Sequence, residues 1–122
     1  MVTTAPTAAL LARLAERLPL DYERLAAFYR RWEVAELALF GSVLRDDFHP
    51  DSDVDVLVAF SPGARRGLFD LVEMEDELTS IFGRRVDLVT RRTVEESDNW
   101  IRRLAILDAA LVLPGVAADA PA

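Results

Sequence analysis

The feature that most constrains this chain is an alternating segment, residues 53–60, which reads DVDVLVAF. Successive side chains of a β-strand point to opposite faces, so the three valines share one face, and Asp53 and Asp55 share the other with Leu57. Side chains two residues apart on a strand lie roughly 6–7 Å from each other. The segment therefore predicts a strand that presents two carboxylates in the same direction.

Such a pair of carboxylates favours a divalent cation. Two unneutralised carboxylates about 4–5 Å apart repel by roughly 3–4 kcal/mol at an effective dielectric constant near 20. Carboxylate oxygens with water are the ligands that suit magnesium or manganese. We therefore expect Asp53 and Asp55 to hold one hard cation, or two neighbouring ones.

A glycine-serine turn precedes this strand. The apolar strand predicted over residues 36–40 ends at Gly41, and ten residues separate Ser42 from Asp53. Glycine has no side chain, so phosphate oxygens can approach its backbone closely, and Ser42 adds a hydroxyl donor. The residues that follow can begin a short helix whose free N–H groups favour an anion. The turn and the acids together predict a site for a nucleoside triphosphate held through metal.

Arg45 belongs to the same turn and has two alternative roles. Its guanidinium can reach a phosphate, or it can pair with Asp46 or Asp47. The whole pattern also has a plainer interpretation, a surface turn followed by a solvated acidic loop. At ordinary residue frequencies the joint spacing arises by chance in about one chain in a thousand of this length, which favours the functional interpretation.

A third carboxylate, Asp87, lies in a later predicted strand, residues 84–90. The strand follows a helix that ends at Phe82 and is capped by Gly83. Asp87 faces away from its apolar neighbours, so it can join the first two acids on a shared sheet. There it can coordinate the metal and accept the proton of an attacking hydroxyl. Taken alone, Asp87 is better explained as a surface charge on an edge strand, and the first two acids are what favour the functional interpretation.

These motifs resemble the DNA polymerase β-like nucleotidyltransferase superfamily, and in particular its minimal nucleotidyltransferases. The resemblance covers residues 37–113 and rests on three segments, LFGSVLR, PDSDVDVLV and GRRVDLVT. One departure is Asp46, where many relatives have glycine, and it leaves the role of Arg45 less defined.

The resemblance implies a fold, an activity and a partner. The expected fold is α/β, a small mixed sheet of three or more strands flanked by helices. Many relatives are antitoxins paired with HEPN-domain ribonuclease toxins, and the best understood transfer AMP from ATP to a toxin tyrosine in the presence of magnesium. Carried over by motif, the metal ligands are Asp53, Asp55 and Asp87, which are also the catalytic acids, and the triphosphate binders are Gly41 and Ser42, with Arg45 beside them.

Two other functions remain open. An antitoxin can mask its toxin by binding alone, although a pure binder does not need three converging carboxylates. A nucleotidyltransferase can also act on a small-molecule hydroxyl, but such enzymes usually carry an added helical domain for the acceptor. At 122 residues, this chain has room for one domain with a modest core.

The composition of the chain limits the classes of partner that it can bind. The net charge of −7 argues against direct binding to nucleic acid, and a basic protein surface is a natural complement. No apolar run approaches the ~20 residues of a membrane span. The chain has no cysteine, which excludes disulfides and thiolate zinc sites. With no secretory signal pattern at residues 1–6, we expect a cytoplasmic protein in a hetero-complex with its toxin.

We expect a single domain over residues 1–115 and a disordered tail over 116–122. The domain would comprise N-terminal helices (1–35), a catalytic core (36–90) and one C-terminal helix (93–113). Thr7 and Asp21 are the expected caps of the first two helices, and a Thr93-x-x-Glu96 capping box is expected for the last. That last helix would bury Ile101, Leu104, Leu107 and Leu111.

The helix over residues 68–82 is expected to be amphipathic. Its acidic run would form a solvated face, and its buried stripe would comprise Leu68, Leu71, Val72, Leu78, Ile81 and Phe82. We interpret His49 as a surface residue. We also interpret each arginine that flanks the predicted active strands as a surface charge, although each could contact a bound triphosphate. These arginines are Arg65, Arg66, Arg84, Arg85, Arg91 and Arg92.

Overall fold

A computed structural model describes residues 8–45, 48–64 and 66–113. Within these ranges the strands are β1 (Val34–Phe40), β2 (Val54–Phe60), β3 (Val86–Thr90) and β4 (Leu111–Leu113). The helices are α1 (Ala8–Arg17), α2 (Tyr22–Trp32), α3 (Leu68–Phe82), α4 (Arg91–Glu95) and α5 (Trp100–Ala109), with a 3-10 turn at Gly41–Leu44.

The four strands form one mixed sheet in the order β3-β2-β1-β4. Strand β2 pairs with β1 antiparallel and with β3 parallel, and β4 pairs with the other edge of β1 antiparallel. The predicted α/β fold with a mixed sheet flanked by helices is therefore confirmed.

Helices α1, α2 and α3 contribute to the larger core on one face of the sheet. The three valines of β2 are buried there, as the alternating pattern predicts. Asp21 caps α2 through its side chain, which accepts a hydrogen bond from the Arg24 N–H at 3.2 Å. Gly83 caps α3 in the left-handed conformation, with φ of 69°. Thr7, the expected cap of the first helix, lies outside the described residues.

The second face carries a smaller core beneath α4 and α5. Leu57 of β2 and Ala38 of β1 pack there against Val94, Ile106 and Leu107. Asp55 precedes Leu57 by two residues on β2, so it belongs to this second face. The sheet is thus covered on both sides, and the acids occupy the side under the C-terminal helices.

The prediction of one C-terminal helix over residues 93–113 is wrong. Thr90 caps the short helix α4 by accepting from the Thr93 N–H, and a separate helix α5 begins after Asn99, which accepts from the Arg102 N–H. Leu111 belongs to β4, not to a helix. The predicted stop at residues 114–115 and the tail over 116–122 lie outside the described residues.

The predicted buried stripes of α3 and α5 are also partly wrong. Leu78, Ile81 and Phe82 are buried, and Met74 joins them. The side chains expected inside but found largely exposed are Leu68 at 73%, Val72 at 51%, Ile101 at 65% and Leu104 at 44%. A hydrophobic pattern shows where a helix is apolar, but it does not show how far the neighbouring elements extend along it.

The acidic run of α3 makes specific contacts. Glu75 accepts a hydrogen bond from the Leu88 N–H of β3 at 2.9 Å. Glu77 accepts from the Trp32 indole and pairs with Arg31, which also reaches Glu73. The prediction of a solvated face is confirmed for Glu73 and Asp76, which are exposed. It is wrong for Glu75 and Glu77, which are partly buried and link α3 to the sheet edge and to α2.

Tyr29 ties α2 to β1 and β4. Its hydroxyl accepts from the Leu37 N–H at 2.8 Å and donates to the Leu113 carbonyl at 2.7 Å. Burial raises the pKa of Tyr29 to about 12.

In the described part of the chain, no helix is both long and apolar enough to cross a bilayer.

Candidate active site

The predicted glycine-serine turn lies where β1 ends. Phe40 is the last residue of β1, and Gly41 begins the 3-10 turn with φ of +80°. A Cβ atom on Gly41 would overlap the carboxylate of Asp55 and lie 3.2 Å from its Cγ. Glycine is therefore favoured twice here, once by its backbone conformation and once by the acid packed against it.

Strand register brings the acids together. Asp55 of β2 pairs with Phe40 on one side and with Asp87 of β3 on the other. Residues in register on neighbouring strands point to the same face, so the carboxylates of Asp55 and Asp87 lie side by side. Asp53 immediately precedes β2. The structure thus places Asp87 and the Gly41 turn on opposite flanks of Asp55.

Asp55 is the electrostatic centre of the group. Its pKa is raised from the usual 3.8, first by burial and then by the negative charges of Asp87 and Asp53. The positive charges of Arg45 and Arg102 oppose this shift. Asp55 is half-buried, whereas Asp53 and Asp87 are exposed. The charges of Asp53 and Asp87 therefore both influence the carboxylate of Asp55, and so does the charge of Arg45.

The donors fit a hard divalent cation. Carboxylate oxygens are the ligands that magnesium and manganese prefer, and a cation would relieve the repulsion that raises the pKa of Asp55. Across residues 8–45, 48–64 and 66–113, no three acidic or histidine side chains already form a closed metal-ligand cluster.

Two arginines hold the backbone around the site. Arg17 of α1 donates to the carbonyls of Val43 and Arg45, at 2.7 and 2.6 Å. Arg84 donates to three carbonyls of the segment that leads into Asp53, those of His49, Pro50 and Ser52. Sequence reasoning missed Arg17 entirely, because an arginine at the end of an amphipathic helix carries no signal of what it will contact.

Three of the other flanking arginines, Arg66, Arg91 and Arg92, pair with glutamates. Arg66 pairs with Glu33 at 2.8 Å, and Arg91 pairs with Glu36 at 3.0 Å. Arg92 forms an exposed pair with Glu96 one helical turn away. Their interpretation as surface charges agrees with these contacts. Arg65 lies outside the described residues, and His49 is exposed, as expected.

Helix α5 contributes two features that the sequence analysis did not identify. The positive charge of Arg102 opposes the rise in the pKa of Asp55. Trp100 is 59% exposed, next to the exposed Ile101 and with the exposed Leu104 one turn further on. Large exposed apolar side chains in a contiguous group are typical of interaction surfaces.

A family comparison agrees with this geometry. Residues 23–112 match the family model described as a nucleotidyltransferase domain. The match contains the turn, all three acids and most of both cores. It leaves out α1 and therefore Arg17.

Two curated relatives are archaeal. The chain is 38% identical over 65 residues to protein adenylyltransferase MntA of Thermococcus cleftensis, which is 53% of this chain and 64% of the relative. It is 36% identical over 61 residues to the "Putative protein adenylyltransferase MJ0435" of Methanocaldococcus jannaschii, 50% of this chain and 63% of the relative. The chain thus spans slightly less than two thirds of the length of these relatives.

Solved structures share the fold. The "Structure of putative minimal nucleotidyltransferase" aligns with a TM-score of 0.59 and 30% identity, over 88% of this chain and 100% of that one. A toxin-antitoxin crystallised with AMP-PNP aligns with a TM-score of 0.59 and 22% identity, over 82% of this chain and 77% of that one, and it shows the fold alone. Because the family match spans most of the chain and a 30%-identical structure is covered completely, this protein belongs to the nucleotidyltransferase domain family, among its minimal nucleotidyltransferases.

Proposed function

We propose that this protein is a magnesium-dependent nucleotidyltransferase that transfers AMP from ATP to a protein hydroxyl. The observation that carries the proposal is the strand register, which puts Asp55 between Asp87 and the Gly41 turn. Phosphate binding and acid chemistry are thereby adjacent on one face of the sheet.

Each residue has a distinct part in the proposed reaction. Asp53 and Asp55 would hold the cation, with Asp87 as a further ligand. Backbone N–H groups of the turn from Gly41, with the Ser42 hydroxyl, would bind the triphosphate. The bound cation supplies charge neutralisation along the triphosphate and on the leaving pyrophosphate.

The transfer itself needs one proton acceptor. Asp87 is exposed beside Asp55, where it can meet an incoming hydroxyl. The hydroxyl oxygen forms a bond to the α-phosphorus as its proton passes to Asp87. The bond from that phosphorus to the bridging oxygen of pyrophosphate breaks at the same time, and pyrophosphate leaves with its electron pair.

The proposed acceptor is a tyrosine of a cognate HEPN-type toxin, which makes this protein the antitoxin. The curated relatives are named protein adenylyltransferases, and one solved neighbour is a toxin-antitoxin complex with a nucleotide analogue. The exposed apolar group at Trp100, Ile101 and Leu104 offers a surface that a protein partner can bury. A protein acceptor agrees better with this surface than a small molecule does.

Labelled ATP provides the direct test. The protein is incubated with magnesium, ATP labelled at the α-phosphate and the product of the adjacent reading frame, and the label on that product is located by mass spectrometry. We expect AMP on a tyrosine and loss of the neighbour's ribonuclease activity. Absence of label on the neighbour, from a folded protein that binds ATP, would contradict the proposal.

The masking alternative is separated by a double substitution. Asp53→Asn combined with Asp55→Asn removes the cation ligands while leaving the surface of α5 unchanged. Under our proposal the variant binds the toxin but does not neutralise it. Full neutralisation by this variant would show that binding alone is the function.

A further inference from the structure

A stack of three side chains joins the phosphate-binding turn to the acid-bearing strand. The Phe48 ring has the guanidinium of Arg17 5.6 Å from its centroid and that of Arg84 4.4 Å from it. Guanidinium groups stack favourably on aromatic faces at such distances. We call this group the Arg17–Phe48–Arg84 stack.

Each arginine of the stack also holds one part of the site. Arg17 donates to the carbonyls of Val43 and Arg45, which end the turn that starts at Gly41. Because carbonyls and N–H groups alternate along the backbone, fixing these carbonyls fixes the direction of the N–H groups of the turn.

Arg84 does the same for the approach to the acids. Its NH1 atom lies 3.1, 2.8 and 3.2 Å from the carbonyl oxygens of His49, Pro50 and Ser52. Ser52 immediately precedes Asp53, and the Arg85 carbonyl accepts from the Val54 N–H at 2.9 Å. The guanidinium of Arg84 therefore sets where β2 begins relative to β3, and with it the spacing of Asp53, Asp55 and Asp87.

We propose that Arg17 and Arg84 are positioning residues that act through Phe48 to fix the triphosphate-binding turn relative to the metal-binding acids. This inference rests on the proposed function, because it assigns these residues to the same site. A guanidinium suits the task because its plane can stack on the ring while its edge donates to carbonyls, which an ammonium cannot do. Displacement of reacting groups by about 1 Å can cost on the order of 100-fold in rate.

The chain offers a matched control at the other end of the sheet. Arg66 also stacks on an aromatic ring, with its guanidinium 5.4 Å from the Trp32 centroid, and also donates to a carbonyl, that of Trp32 at 3.2 Å. Arg66→Met therefore removes the same kinds of contact without touching the turn or the acids.

The experiment compares Arg17→Met, Arg84→Met, their combination and Arg66→Met. It measures affinity for a non-hydrolysable ATP analogue with magnesium by calorimetry, kcat and KM for transfer, and the Tm. We expect each single variant at the site to lose about tenfold or more in kcat/KM and in analogue affinity. The combined variant should lose less than the product of the two single losses, because both act through one ring. Arg66→Met should lower the Tm and leave binding within about twofold.

Phe48 provides a second and gentler test. Phe48→Tyr keeps the ring and should bind the analogue like the wild type, whereas Phe48→Leu removes it and should approach the single arginine variants. Arg84→Lys should resemble Arg84→Met, since lysine keeps the charge but not the planar stack. These changes keep apolar volume or charge, so they remain informative if an Arg→Met variant fails to fold.

The outcomes separate the two proposals. If the site variants match Arg66→Met, or if their losses multiply independently, the positioning role is overturned. If the wild type binds the analogue but transfers no AMP, the proposed function fails, and the stack is judged on analogue affinity alone. If the wild type does not bind the analogue at all, both proposals fail.

Discussion

The two ends of strand β2 differ in how their charged side chains are arranged. At its C-terminal end, each described arginine lies against a glutamate, with Arg91 3.0 Å from Glu36 and Arg66 2.8 Å from Glu33. At its N-terminal end, three aspartates are grouped and the pKa of Asp55 is raised by burial and by the other two. The balanced end resembles an ordinary protein surface, whereas the acid end is kept in an unfavourable state.

This difference indicates which end carries function. Balanced ion pairs at a surface contribute little and require no further explanation. Like charges that raise a pKa destabilise the fold unless positive charge offsets them. Arg45 and Arg102 oppose the rise in the pKa of Asp55 without abolishing it, so the grouping points to a ligand with further positive charge. The adjoining Gly41, which leaves room for the Asp55 carboxylate, supports the same conclusion.

The largest expected effect on AMP transfer is seen when one acidic residue is neutralised at the acid end of β2 and compared with one neutralised at the balanced end. Asp55→Asn should reduce AMP transfer by about 1000-fold or more, because it removes a proposed cation ligand and the centre of the acid group. Glu36→Gln, at the balanced end of the same sheet, should leave transfer within about twofold. Initial rates at saturating ATP and magnesium check both variants. Equal losses in the two would break the distinction between the ends.

The next effect concerns the turn. Gly41→Ala should lower kcat/KM for ATP by on the order of 100-fold, because its Cβ would displace the carboxylate of Asp55. Gly63 also has a positive φ, +86°, but an added Cβ there meets nothing within 4 Å. Gly63→Ala therefore carries a similar backbone cost without the clash, and its activity should remain near that of the wild type. A similar loss in both variants would attribute the effect to backbone strain alone.

The acid end was largely predictable from sequence because its signals are local. Alternation over residues 53–60 correctly separates the valines from Asp55, and Gly83 correctly marks the end of α3. The placement of Asp87 beside Asp55 follows from parallel pairing of two strands that read clearly on their own. The assignment of roles to these acids remains a prediction.

The C-terminal region was not predictable in the same way. Strand β4 has only three residues and exists through its pairing with β1, about seventy residues earlier in the chain. The Thr93 capping box was the expected start of the last helix, but α5 begins later and is capped by Asn99. Arg17 was missed for a similar reason, since its partners lie 26 and 28 residues away.

A smaller effect is the change in Tm, which should have opposite signs for substitutions at the two ends of β2. The raised pKa of Asp55 means that the folded protein holds that proton more tightly than the unfolded chain does. The corresponding stability is present at acid pH and is lost as the pH rises through the raised pKa. Without metal at neutral pH, Asp55→Asn should therefore raise the Tm, by roughly 1–4 °C, while Glu36→Gln should lower it slightly.

The pH dependence completes this test. The advantage of Asp55→Asn should shrink below neutral pH and vanish below the usual aspartate value of 3.8, where Asp55 is protonated in both states. Magnesium should raise the Tm of the wild type and have little effect on the variant. Thermal denaturation at several pH values with EDTA or magnesium measures both. A lower Tm for Asp55→Asn without metal would show that the acid group is structural.

The smallest effects lie within the balanced end itself. The Arg91 side chain is 21% exposed and contacts both Glu36 and Glu95, whereas the Arg92 side chain is 86% exposed and contacts Glu96. Arg91→Met should therefore cost about 1 kcal/mol of unfolding free energy, and Arg92→Met less than about 0.5 kcal/mol. Urea denaturation resolves this difference, and neither change should alter AMP transfer. A loss of transfer in Arg91→Met would extend the active site to the far end of β2, since Arg91 would then be needed for more than its ion pairs.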